Sequence, residues 1–166
     1  VGLPHLFFDA TALASFNANL KLFPPIRTQE DQKALREGLL DGTIDCVSSM
    51  HQPINPEYKE LEFELALPGS IGLEACFGIL SSLFPLEQAV RFLTRGKAIF
   101  SVPEPKIEVG QVADFTFFDP NQNNQLSPSD LLSTSKNCAF IGYQLSGKVL
   151  GCYNNKQLHW NANTPA

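Results

Sequence analysis

A capped amphipathic helix between two short apolar runs is the feature that most limits how this chain can fold. Thr28 reads as an N-cap, and Asp31, three residues on, takes the reciprocal place in a capping-box-like start. From Gln29 to about Leu40 the spacing predicts a helix with Ala34, Leu35 and Leu39 on one face. Glu30, Lys33, Arg36 and Glu37 take the other face, with Lys33 and Glu37 at i,i+4 spacing. Asp41-Gly42 ends it. Val1 to Phe8 before the helix is an apolar, strand-like run. Ile44 to Ser49 after it is a short strand expected to be covered on both sides. Strand, helix, strand in that order predicts a parallel α/β unit.

The rest of the chain extends this reading. Lys21-Leu22-Phe23-Pro24-Pro25-Ile26-Arg27 is held extended by its prolines. Residues 51–69 form a loop rich in Pro and Glu, and its Glu57–Glu64 acidic run reads as a solvated surface. Leu73 to Leu83 is expected to be a buried helix. Pro85 to about Phe100 is expected to be an amphipathic one, with Leu86, Ala89, Val90 and Leu93 inward. After Ser101 the texture changes. Val102-Pro103-Glu104-Pro105 is a linker, and strand-like runs follow at Phe115–Phe118, Ala139–Leu145 and Lys148–Tyr153, with one or two helical turns over Leu126–Ser133. The expected division is therefore 1–101 for the α/β part, 102–160 for a small β-rich subdomain, and a disordered tail at 161–166. Phe7, Phe8, Phe115, Phe117 and Phe118 are assigned to cores. His5 and His159 are read as ordinary structural histidines.

Composition narrows the function. The chain carries 12 basic and 17 acidic residues, a net charge of −5, and lacks any long basic cluster, which argues against nucleic acid or an anionic membrane as partner. No apolar run approaches the ~20 residues that a membrane helix needs. No basic n-region of a signal peptide is visible at the start. The opening at Val1, directly in an apolar run, is expected of a segment from the middle of a domain. The four cysteines, Cys46, Cys76, Cys138 and Cys152, lie far apart without a C-x-x-C pair. Buried reduced thiols and a cytoplasmic setting are expected, not a zinc site.

Met50 stands at the end of the second strand, in Asp45-Cys46-Val47-Ser48-Ser49-Met50-His51-Gln52-Pro53. In an α/β enzyme, a catalytic acid or metal ligand belongs at that place. A thioether is not an acid and is a poor ligand for a hard or borderline metal. His51 beside it reads as a loop histidine.

Five strings, in order, resemble dihydroorotase of the multifunctional-complex type, an amidohydrolase. Lys21 to Arg27 is similar to the family's K-x-N-P-P-L-R, and Glu30 to Asp45 to its E-D-x-x-A-L-x-x-G-L-x-D-G-T-I-D. Gly69 to Glu74, Ile107 to Pro120 and Leu131 to Leu150 match three further strings. The resemblance implies the last two strands and helices of a (β/α)8 barrel, followed by a β-rich subdomain. It also implies a place in pyrimidine biosynthesis, where the family cyclises carbamoyl aspartate to dihydroorotate with zinc. The zinc-binding histidines would lie before this chain, so no cofactor is expected within it.

At the family's site positions this chain differs. Met50 occupies the place of the catalytic, metal-binding aspartate; Asp45, the nearest acid, matches a separate structural aspartate of the family. Ile54 stands for a substrate-contacting histidine and Phe23 for a substrate-contacting asparagine. Pro68, which has no amide hydrogen, stands for a phenylalanine whose backbone meets the ring. No catalytic, substrate or metal residue is therefore expected in this chain, while the scaffold strings Asp41–Asp45 and Gly72–Glu74 are kept. Arg27 is expected to tie its loop to a neighbouring acid. The resemblance leaves three readings: a non-catalytic homologue kept for assembly, with aspartate carbamoyltransferase as partner; an amidohydrolase of altered specificity; and an authentic dihydroorotase. Dihydropyrimidinase and allantoinase share the fold but fit the strings less well. Taken alone, the chain is expected to lack hydrolase activity. A two-strand remnant of a barrel leaves open edges, so self-association or capture by the N-terminal half is expected.

Overall fold

The computed structural model describes residues 1–103 and 106–161. Its first element is a helix, α1 (Leu3–Phe7), where a strand was expected. Pro4 explains the difference. Its fixed φ suits the first turn of a helix, and an apolar run this short does not distinguish strand from helix by pattern. Leu3, Pro4, His5 and Leu6 of α1 are all buried. The helix is followed by two 3-10 turns, Ala10–Ser15 and Ala18–Leu20, each opened by an Asx-type cap from Asp9 or Asn17.

Helix α2 (Gln29–Asp41) forms where its caps predict. The Thr28 backbone N–H donates to Asp31 Oδ2 at 3.1 Å, and the Asp31 N–H donates back to Thr28 Oγ1 at 3.3 Å. The Thr28 hydroxyl also donates to Asp31 Oδ2 at 2.8 Å, and this bond, then the one from the Thr28 N–H, holds the Asp31 carboxyl below its ordinary range. Gly42 closes the helix in the left-handed region, φ 90°. Lys33 and Glu37 pair at 3.8 Å. The inward face differs from the expected one: Gln32 and Leu39 are buried and Leu35 half-buried, whereas Ala34 is exposed. The polar members of that face cap α1. Gln32 Nε2 donates to Phe7 O and Arg36 Nε to Leu6 O, each at 2.8 Å, so carbonyls at the end of α1 gain partners from α2.

The expected strand Ile44–Ser49 is reduced to a single parallel bridge between Ser48 and Gly2. Leu3 N–H donates to Ser48 O and Ser48 N–H to Val1 O, both at 2.8 Å. A second parallel bridge joins His51 to Ser70. The three segments are therefore aligned as in a parallel sheet, but pairing stops after one rung each. Ser48 is exposed and Val47 half-buried, so the segment is not covered on both sides as expected. The Arg95 guanidinium donates to the carbonyls of Ile44 and Asp45, and these bonds take the place of a strand neighbour.

A short helix α3 (Pro56–Lys59) interrupts the 51–69 loop. Helix α4 (Cys76–Leu83) follows a turn at 73–75. The amphipathic segment splits into α5 (Leu86–Thr94) and α6 (Gly96–Ile99). The inward residues of α5 are Ala89 and Phe92; Leu86 and Leu93 are exposed, contrary to the predicted face. Phe92 packs edge-on against Phe84, which rotates the buried stripe relative to the one read from the leucines.

The C-terminal strands β1 (Phe115–Asp119), β4 (Lys148–Asn154) and β5 (Gln157–Trp160) make an antiparallel sheet in the order β1-β4-β5. Residues β2 (Asn124–Gln125) and β3 (Gln144–Leu145) pair separately. Most of Ala139–Leu145 is thus turn, not the strand expected. Leu126–Ser133 holds one 3-10 turn, Pro128–Asp130. Phe118 packs on Phe77 of α4, but Phe117 is exposed beside Trp160 and belongs to no core. One hydrophobic cluster crosses position 102: Leu126, Leu131, Phe140 and Leu145 pack with Leu3, Leu6, Leu39 and Ile79. Phe8 stacks on Phe140 at 5.2 Å and meets Tyr143 edge-on at 5.3 Å. Of the tail expected to be disordered, Asn161 is bonded through its N–H to Leu150 O at 2.8 Å, and 162–166 lie outside the described residues. Glu104 and Pro105 of the expected linker lie outside them too.

Candidate functional site

Met50 adopts a left-handed backbone, φ 51°, which turns the chain out of the parallel segment. Its N–H donates to Ser48 Oγ at 3.2 Å. Its thioether lies over the bare face of Gly2. A Cβ at Gly2 would fall 2.1 Å from Met50 Sδ and 2.9 Å from His5 Nδ1. His5, in turn, bonds Pro24 O through Nε2 at 2.9 Å. Met50 and the Phe23-Pro24 turn are therefore linked through Gly2 and His5. Phe23 points away, 78% exposed, while Arg27 pairs with Asp31 at 3.8 Å.

His51 is committed to the backbone. Its Nδ1 accepts from the N–H groups of Gly72 and Leu73, both at 3.4 Å. That arrangement places the ring proton on Nε2. Gly72 is required for the approach, because a Cβ there would lie 2.5 Å from Ser49 O.

Ile54 and Gly69, the residue after Pro68, are tied together through a residue that sequence reading passed over. Asn137, 5% exposed, accepts from Ile54 N–H at 3.2 Å through Oδ1. Its Nδ2 donates to Gln52 O at 3.0 Å and to Gly69 O at 3.3 Å, and its carbonyl accepts from Ile71 N–H at 2.9 Å. Ser135 Oγ adds a bond to Ile54 O at 2.9 Å. The only sequence signal was the asparagine's place inside the Leu131–Leu150 string.

Lys59 was missed as well. It lies within the run read as a solvated loop, yet it is 3% exposed. Its Nζ donates to Leu67 O at 3.0 Å and Lys21 O at 3.4 Å. Burial, and then the Lys21 ammonium, push its pKa down to about 8.

The four cysteines are free thiols. Burial pushes Cys76 and Cys138 up to about 11. At mildly alkaline pH, native Cys76 and Cys138 should alkylate on the order of 100-fold more slowly than in the urea-unfolded chain. Timed iodoacetamide labelling with peptide mass spectrometry reads this. Equal rates in the two states would rule out the shielding.

Among the described residues, no cluster of three or more His, Cys, Asp or Glu could hold a metal. Met50 offers a thioether packed on Gly2 and His51 spends Nδ1 on two amides, so neither presents a free donor to a hard or borderline metal. No helix among the described residues is long and apolar enough to cross a membrane.

No protein-family model matches the chain. A curated dihydroorotase of Syntrophotalea carbinolica is 37% identical over 154 residues, covering 89% of this chain. The chain is a homologue of the C-terminal part of dihydroorotase. It spans 36% of the length of that relative. The L-hydantoinase (dihydropyrimidinase) of Arthrobacter aurescens superposes with a TM-score of 0.84 at 23% identity, over 95% of this chain and 38% of that one. The inactive dihydroorotase-like domain of a Chaetomium thermophilum CAD-like multifunctional protein gives 0.64 at 18%, over 100% of this chain and 46% of that one. These likenesses give the fold: the chain folds as a portion of those two longer chains does. In this dihydroorotase homologue the parallel bridges at Ser48 and Ser70 are the places where barrel pairing persists.

Proposed function

We propose that this dihydroorotase homologue belongs to pyrimidine biosynthesis as a non-catalytic, cytoplasmic component that supports assembly. Met50 carries the reading. The position assigned to the metal-binding general base holds a thioether packed against Gly2, where it can neither accept a proton nor bind zinc. Phe23, Ile54 and Pro68 replace the substrate contacts, while Asn137 and His51 keep the loops around them in register. The fitting partner is aspartate carbamoyltransferase. Self-association, or pairing with the N-terminal part of a longer chain, would cover the open parallel edges. Co-purification of the full-length protein with the transferase tests the partner; a protein that ignores the transferase at high concentration would remove it.

The alternative is an active metal-dependent cyclic amidohydrolase whose metal ligands lie outside this chain. It is kept because the chain spans 36% of its relative. Metal content and carbamoyl aspartate cyclisation by the full-length protein discriminate. We expect no bound zinc and no turnover, and Met50→Asp should leave the rate at the buffer level because Ile54, Phe23 and Pro68 remain. Zinc-dependent ring closure in either protein would defeat the non-catalytic reading.

A further inference from the structure

A cleft of about 240 Å³ lies beside Ile54, between the 17–19 turn, α3 and the 134–137 segment. Two lysines, Lys59 and Lys136, are among its lining residues. Each has three N–H donors. Lys59 commits two, to Leu67 O and Lys21 O; Lys136 commits two, to Leu131 O at 2.7 Å and Ser133 O at 2.8 Å. All four acceptors are neutral carbonyls, and among the described residues neither lysine forms an ion pair. A lysine buried as deeply as Lys59 ordinarily has a carboxylate partner. Here burial, and then the second cation Lys21, lower its pKa.

Uncommitted donors share the cleft. The Asn19 side-chain amide and the Thr134 hydroxyl line it, and neither has a side-chain hydrogen bond among the described residues. Glu60 also lines it and brings the one carboxylate, on an exposed residue. Ile54 and Leu61 supply apolar wall. Two cations, two free polar groups and one acid leave the lining with net positive charge and spare donors.

We infer that this cleft binds a small dianion, a dicarboxylate or a phosphate, between Lys59 and Lys136, with Asn19 and Thr134 completing its hydrogen bonds. The cleft adjoins the family's site through Ile54, but Met50, Phe23 and Pro68 are not among its lining residues. It is independent of whether the proposed loss of catalysis holds.

The test is a titration of the full-length protein at low ionic strength with malonate in one arm and inorganic phosphate in the other, sodium chloride serving as control. Amide chemical shifts of Asn19, Lys59 and Thr134 provide the readout. Saturable shifts are expected in one or both arms and none with chloride, and the responding arm identifies the source of the dianion. Lys59→Met should abolish them. Should that variant fail to fold, the Asn19→Leu/Thr134→Val double variant changes only side chains without structural bonds, and it should weaken binding by about tenfold. The inference is overturned if neither dianion saturates up to tens of millimolar, or if the double variant binds as tightly as the wild type.

Discussion

Asn137→Ala is expected to lower unfolding stability by about 2–4 kcal/mol, the effect of losing three side-chain hydrogen bonds at a buried position. The bonds at risk tie Gln52, Ile54 and Gly69 to one another across sequence separations of 68 to 85 residues. An alanine leaves one part-buried N–H and two carbonyls without this partner, of which only the bond to Gly69 O is fully buried. Asn137→Asp separates shape from bonding. It keeps an acceptor for Ile54 but turns an oxygen, at neutral pH a charged one, toward two carbonyls. It should therefore be at least as destabilising as alanine at neutral pH and recover partly in acid, where the protonated carboxyl can donate one bond. Urea midpoints of the three proteins measure this. A loss below about 0.5 kcal/mol for alanine would mean that the loops hold their register without the amide.

Lys59 should make the protein more stable as the solution becomes alkaline. The unfolded chain releases this proton near 10.5 and the folded chain near 8. Between those values the unfolded state binds one more proton, so stability climbs with pH across that window, by about 3 kcal/mol in total. Below pH 8 both states are protonated, and the cost of burying the ammonium is fully present. Lys59→Met keeps the stem and removes the charge, so its stability should lack this climb. Other lysines and the tyrosines titrate nearby, and subtracting the two proteins' curves removes them. A flat difference between pH 8 and 10.5 would show that Lys59 keeps an ordinary proton affinity.

What the sequence made legible was local. Thr28, Asp31 and Gly42 act within a few residues of themselves, and their helix forms where they predict. The Arg27–Asp31 pair is local in the same way. Leu3–Phe7 misled because a buried five-residue run carries no periodicity, and Pro4 fits the start of a helix better than a strand. In α2 the true inward face includes Gln32 and half-buried Arg36, which polarity alone would put in water; they are held in by carbonyls of α1. In α5 the leucines gave a false stripe because Phe92 takes the inner place against Phe84. Around the candidate site, the family strings marked Met50, Phe23, Ile54 and Pro68, but what organises them was hidden. Asn137 and Lys59 act on backbone carbonyls, which have no sequence identity. The partners of Asn137 lie more than sixty residues away.

The packing of Met50 on Gly2 also gives the protein an internal oxidation gauge. The chain has a single methionine, so any sulfoxide in its peptide map comes from this one contact. An added oxygen has no room where the sulfur already touches the glycine face, and a polar sulfoxide would favour water over that surface. Met50 is half-buried, so the rate at which dilute peroxide converts it, compared with the unfolded chain, measures how far the Gly2 contact shields the sulfur. Mass spectrometry can read that shielding in a mixture, without any engineered probe.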